Sequence, residues 1–246
     1  MPMRLPVIHG IIDRRILVNF RVDPAVLNRF MPRPFRAKLV HGVGMAGVCL
    51  IRLKHIRPRL FPALVGVTSE NAAHRIAVEW QEDGQTREGV FIPRRDTSSL
   101  FNTLVGGRLF PGEHHHARFR VVEQADNFSV SLDSDDRTTH VAVEARRVAD
   151  LPSTSVFHSL QEASDFFEHG SLGYSVTARL GKFDGLELRS KRWQVEPLAV
   201  ERVESSFFED TMRFPKGSVE FDCALLMRGI EHEWHAHESL CAWNVA

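Results

Sequence analysis

Two histidine-rich runs carry the most concentrated side-chain chemistry in the sequence: His114-His115-His116, preceded by Glu113, and His232 to Glu238, which reads His-Glu-Trp-His-Ala-His-Glu. On a strand successive side chains alternate, so His114 and His116 would share one face and His115 would take the other. By the same rule Glu233, His235 and His237 would line one side of the terminal run. Two imidazoles with a carboxylate from Glu113 or Glu70 make a donor set that suits zinc or iron. A solvated or hydrogen-bonded strand edge explains the same spacing without an ion, and the expectation is no metal and no cofactor. In the terminal run the opposite face, Trp234 and Ala236, is expected to pack on the core. The chain has no Gly-x-Ser-x-Gly elbow, phosphate-binding glycine loop or dinucleotide fingerprint, so hydrolase, kinase and dehydrogenase chemistry find no motif.

The elements that must position these residues are mostly strands. Ile16, Val18, Phe20 and Val22 alternate with Arg15, Leu17, Asn19 and Arg21, the period of a half-buried strand. Asp23-Pro24 then supplies an N-cap and a proline at the first helical position, and Val26, Leu27 and Phe30 form one apolar face before Pro32. Further apolar runs predict strands at 45–53, 75–80, 89–92, 117–122, 128–132, 141–145, 174–180, 186–188, 192–195 and 219–227. Turn signals such as Glu82-Asp83-Gly84 and Phe183-Asp184-Gly185 lie close between them, as antiparallel connections require. A helix is expected after Asp96-Thr97, ending at Gly106-Gly107. A second is expected from the capping box Ser159 to Glu162, ending at His169-Gly170.

The 246 residues form a single expected domain, 1–246, since no linker, repeat or low-complexity tract divides them. The 31 basic and 31 acidic side chains cancel, which removes the field that would recruit nucleic acid or an anionic membrane. Apolar runs fall short of the roughly 20 residues of a membrane-spanning helix. Cys49, Cys223 and Cys241 are an odd set without paired spacing, and no secretory leader is evident, so reduced thiols and a cytoplasmic location are expected.

Three segments, in order, resemble the acetoacetate decarboxylase-like superfamily and its uncharacterised branch, domain-of-unknown-function family 2071. The first is Asp13-Arg14-Arg15 through the strand to Asp23-Pro24 and Met31-Pro32. The second is Thr68-Ser69-Glu70, leading through a hairpin to Gly89-Val-Phe-Ile-Pro93. The third runs from Gly107-Arg108 to His114-His115-His116-Ala117, where that family carries a Pro-Lys-Lys signature. The resemblance implies a mainly β (α+β) fold: an antiparallel, closed, cone-like β-barrel with flanking strands and a few short helices, enclosing a small-molecule cavity. Such proteins tend to be homo-oligomers.

The same resemblance assigns roles. Arg14 or Arg15 would clamp a carboxylate, with Arg108 and His114 also at the ligand, and Glu70, His115 and His116 would be the reactive groups. The family's decarboxylases form an imine through a lysine. At the matching positions this chain has His115 and His116, and a rival alignment places Arg94 and Arg95 there; neither imidazole nor guanidinium can form the imine. The expected function is therefore binding of a small organic acid or carbonyl metabolite. The alternatives are a non-covalent acid–base enzyme of dehydratase or isomerase type using Glu70 and a histidine, and a structural or interaction protein whose cavity is filled.

Overall fold

A computed structural model describes residues 6–62, 66–100, 103 and 112–242. Strand outweighs helix 61% to 9%, so the class is mainly β. In chain order the elements are β1 (Ile8–Val22), α1 (Pro24–Phe30), β2 (Arg36–Ala37), β3 (Leu39–Val40), β4 (Val43–Pro58), β5 (Val67–Glu82), β6 (Gln85–Thr97), β7 (His115–Gln124), β8 (Asn127–Ser134), β9 (His140–Arg147), α2 (Leu160–Glu168), β10 (Leu172–Val176), β11 (Lys182–Ser190), β12 (Glu196–Ser205) and β13 (Val219–Cys241). No helix among the described residues is long and apolar enough to cross a membrane.

Local chemistry sets both helices as the sequence requires. The Asp23 carboxylate accepts from the Ala25 N–H at 2.7 Å, opening α1 with Pro24 at its first position. Ser159 Oγ accepts from the Glu162 N–H, and Glu162 reaches back to the His158 N–H at 2.7 Å, opening α2. The helix expected to end at Gly106-Gly107 falls mostly outside the described residues. The strand expected at 192–195 is absent; pairing begins at Glu196, where β12 meets β13 and β9.

All thirteen strands belong to one sheet whose hydrogen bonding runs round in rings. One circuit is β6-β7-β8-β9-β12-β13-β1-β4-β5 and back to β6; another leaves β6 through β10 and β11 to rejoin β13. Both share the wall β13-β1-β4-β5. Pairing along this wall is antiparallel, while β6 meets β7 and β10 in parallel.

Each wall strand serves two cores because its side chains alternate. On the first face Ile16, Val18, Val48, Leu50, Ile76 and Leu226 pack with Val130, Leu132, Val141 and Val143 of β8 and β9. On the second face Leu17, Met45, Cys49, Ala77 and Leu225 pack with Phe157 and with Ala163 and Phe167 of α2. A bulge in β1 between Ile12 and Arg14 resets the alternation, so from Arg14 onward even positions face the first core.

Candidate functional site

Register lines up four charged residues across the wall. Arg228 of β13 pairs with Arg14 of β1, Arg14 with Arg52 of β4, and Arg52 with Glu70 of β5. Lateral neighbours share a face, so three guanidiniums lie side by side on the first face, an arrangement that like-charge repulsion forbids without intervening anions. Glu70 and Glu123 of β7 supply them. Arg14 donates through Nη2 to Glu70 at 2.6 Å and through Nη1 to Glu123 at 2.8 Å. Arg52 donates to Glu70 at 2.5 Å and sits 2.8 Å from Glu123, which also receives Arg228 at 3.0 Å.

Arg14 is fully buried, and two carboxylates are what such a guanidinium needs to be tolerated. Exposure then grows outward, through Glu70 and Glu123 to Arg52 and to Arg228 at 41%. The cluster is a buried anchor with two cations presented toward solvent. At the β1 bulge Asp13 adds ion pairs to Lys54 at 2.9 Å and Arg52 at 3.5 Å. Burial opposes the Asp13 charge, but Lys54 and Arg52 hold its carboxyl below the usual range. Burial likewise opposes the Arg52 charge, and Glu70, with Glu123 and Asp13 behind it, holds that guanidinium above its ordinary value. Arg14, Arg52, Arg228 and Lys54 against Glu70, Glu123 and Asp13 leave one positive charge unmatched.

A second polar group lies one step along the same face, where Ala72, Asp96 and His115 are in register. Arg94 grips Asp96 Oδ1 through Nε at 2.9 Å and Nη2 at 2.7 Å, and its outer edge holds Asp136 at 2.9 Å. His115 Nδ1 is 3.3 Å from Asp136 and Nε2 is 3.9 Å from Glu113. Asp96 is buried with Oδ2 unpartnered, and burial outweighs Arg94 in lifting its carboxyl above the ordinary value.

The residues singled out by sequence therefore separate. Arg14 and Glu70 meet; Arg15, the next residue, points to the second face, where its Nε contacts Cys49 Sγ at 3.0 Å. His115 shares the face of Glu70 but pairs with neither it nor Arg14. His116 binds Asp135 at 2.7 Å, and His114 Nδ1 lies 3.2 Å from the Gly112 carbonyl, with burial pressing its imidazole down to about 3. Arg108 lies outside the described residues.

The terminal run is a strand, as expected, and Trp234 packs on the second core, but Ala236 is exposed. His232 is the buried residue there, its ring edge-on to Trp234 with centroids 4.5 Å apart. Glu123, Arg52 and Arg228 escaped the sequence reading because charges at alternate strand positions look like a solvated face. Among the described residues one group of three metal-donor side chains converges, His41, His158 and Glu162, with ligand atoms within 4.8 Å of one another. Hydrogen bonds already occupy it: Glu162 bonds His41 Nε2 at 2.6 Å and the His158 N–H at 2.7 Å.

Comparison with known proteins matches the fold throughout. The enduracididine biosynthesis enzyme MppR, in complex with pyruvate, superposes with a TM-score of 0.59 at 11% identity, covering 100% of this chain and 93% of that one. An acetoacetate decarboxylase-like enzyme from Sphingomonas wittichii RW1 gives 0.57 at 12%, covering 97% and 93%. Acetoacetate decarboxylase from Legionella pneumophila gives 0.58 at 12%, with the same coverage. No curated protein matches the sequence. The profile of DUF2071, described as an uncharacterized conserved protein, matches residues 12–224. That span runs from Ile12 within β1 to Ala224 near the start of β13 and holds every residue of the charged row except Arg228, and the chain belongs to the DUF2071 family.

Proposed function

We propose that this chain binds a small organic acid or carbonyl-bearing metabolite without covalent chemistry, at the end of a closed, cone-like barrel where the charged row lies. The observation that carries the reading is the row itself: Arg228, Arg14 and Arg52 side by side, cross-linked by Glu70 and Glu123. Arg14 is committed to its two carboxylates and acts as the anchor. Arg52 and Arg228 keep part of their surface, and a planar carboxylate can take paired N–H donors from guanidinium. Glu70 would orient a carbonyl or hydroxyl beside that carboxylate.

The five lysines support a reading without imine chemistry, which needs an amine stripped of its proton by burial or a neighbouring cation. Lys38, Lys54, Lys182 and Lys191 are each held by a carboxylate, and Lys216 is exposed. Pyruvate, present in the MppR complex, is the first acid to try. Thermal unfolding with pyruvate and acetoacetate should show stabilisation that rises with ligand concentration and is lost in Arg228→Gln. Borohydride added to either mixture should leave the protein mass unchanged; a trapped adduct would overturn the proposal.

The Asp96-Arg94-Asp136-His115 chain favours a second reading, non-covalent acid–base catalysis. Asp136 orients the imidazole and Asp96 is a carboxyl whose proton is held more tightly than usual. Exchange of the methyl protons of pyruvate with deuterated solvent, abolished in His115→Gln, would favour it over simple binding.

A further inference from the structure

The second face of the wall holds a different set of cations. Arg15 and Leu17 of β1, Arg75 and Ala77 of β5 and Val90 of β6 form one side of a crevice with Lys38, closed opposite by Phe166 and Phe167 of α2. The space is about 400 Å³ counted out into open solvent and little of it is fully enclosed, so the crevice is shallow and a ligand in it would lie partly in the open.

Arg75 reaches Asn19 by lying across Gly47, its register neighbour between them; a Cβ at position 47 would come within 2.2 Å of the Val18 carbonyl oxygen. The guanidinium stacks 4.9 Å from the Phe167 ring and is 5% exposed, and its Nε is buried without a partner. Among the described residues Arg15 meets only neutral groups: Cys49 Sγ at 3.0 Å, Met227 Sδ at 3.9 Å and the Trp193 ring at 5.8 Å. Lys38 has Glu88 at 2.5 Å and the Phe166 ring at 4.6 Å.

Three cations thus meet one carboxylate, and among the described residues neither guanidinium touches an acid. One residue away, Arg14 is buried against two. A buried guanidinium without an anion is costly, and Arg75 bears that cost beside a second cation. Burial, with repulsion from Arg15, lowers the Arg75 guanidinium to about 10.

We propose that this crevice is a second ligand site, distinct from the charged row, taking the carboxylate of a small monocarboxylic acid against Arg15 and Arg75. The apolar body of the acid lies along Phe166, Phe167 and Leu17. The missing anion is what the two guanidiniums require, and the phenylalanines select an acid with an apolar body over inorganic anions. Nucleotides and other polyanions are too large and too highly charged for the space.

The test is calorimetric titration and thermal unfolding with benzoate, against benzyl alcohol and inorganic phosphate as controls. Benzoate should bind and raise the unfolding temperature, whereas benzyl alcohol and phosphate should do neither. Arg15→Gln, which removes no ion pair, should raise the benzoate Kd about tenfold or more, as loss of a charged hydrogen bond does. Arg75→Gln should do the same while leaving the unliganded protein as stable as before or more so, and Arg228→Gln on the opposite face should bind benzoate unchanged. The proposal fails if benzoate does not bind at about 10 mM, ten times a millimolar Kd, or if phosphate binds as well as benzoate. It also fails if binding survives Arg15→Gln and is lost in Arg228→Gln, which would return the ligand to the charged row.

Discussion

Lowering the pH from 6.5 to 4.5 should remove about 5 kcal/mol of folding stability through the fully buried His74 and His232, with the partly buried His114 adding to the loss. His74 is inaccessible, with Nε2 3.3 Å from Ser205 Oγ, Nδ1 unpartnered, and Phe207 and Phe208 packed against the ring. Burial, with Arg94 and Arg213 nearby, presses its imidazole down to about 3. His232, 1% exposed, is pressed to about 4, again first by burial. A depressed folded pKa means that the unfolded chain binds the proton first, near pH 6.5, while the native state refuses it.

The stability these groups confer is complete above pH 6.5 and falls as pH drops toward the folded values. Two protons over two pH units, at about 1.4 kcal/mol per proton per unit, give the share of His74 and His232. That is a large part of the roughly 5–15 kcal/mol a domain possesses. The depressed carboxylates, Asp13 and Asp136, weaken the fold only at lower pH, and Asp96, raised by burial, acts in the opposite sense. Urea unfolding at pH 7.5, 6.5, 5.5 and 4.5 measures the slope. Substituting His74→Leu should lower it by about 1.4 kcal/mol per pH unit, the share of one proton. A flat profile in the wild type, or the same slope in both proteins, would refute the reasoning.

Arg14→Met strands Glu70 and Glu123 beside a buried gap and should cost about 3–5 kcal/mol in urea unfolding, most of it recovered by adding Glu70→Gln and Glu123→Gln; a single variant within 1 kcal/mol of wild type would show that the pairs contribute little. Gly47→Ala should destabilise by about 2 kcal/mol or more, because its new carbon collides with backbone, and a neutral result would contradict the close approach of β1 and β4. Glu70→Gln should abolish any stabilisation by pyruvate while leaving far-ultraviolet circular dichroism unchanged; retention of the ligand response would remove Glu70 from the site. Protein purified without an affinity tag should carry no stoichiometric zinc or iron, since Glu162 is already engaged by His41 and His158, and elemental analysis decides it.

Both helix starts were legible in sequence because their signals are local: Asp23-Pro24 and the Ser159 capping box act within a few residues of themselves. Strand centres were legible too, but their ends were not. β4, β5 and β13 extend to 16, 16 and 23 residues, beyond the runs that alternation marks. Bulges in β4 between Leu53 and Ile56 and in β6 between Phe91 and Arg94 break the period without ending the pairing. Arg14 and Glu70 were found only through family resemblance, since nothing within 56 residues of chain indicates that they touch. Register alone exposes the rest: Arg52, Arg228 and Glu123 become neighbours once β4, β13 and β7 are set beside β1 and across the ring. Alternation separated His115 from His116 without saying which of them faces Glu70, and the acid that captures His115, Asp136, comes from the turn after β8 and carries no sequence signal.

The shared wall makes the parity of a residue number work as an address. From Arg14 to Val22 even positions report to one compartment and odd positions to the other, and Arg14 and Arg15 are delivered to different destinations by a single peptide bond. Substitutions in β1 can therefore be made on one side while the other keeps its contents. Insertions and deletions cannot: losing one residue between Arg14 and the end of the strand would invert the destinations beyond it, sending Asn19 among the aliphatics of the first core and Val18 against Arg75. In descendants of this chain β1 should thus tolerate exchange far more readily than any change in length.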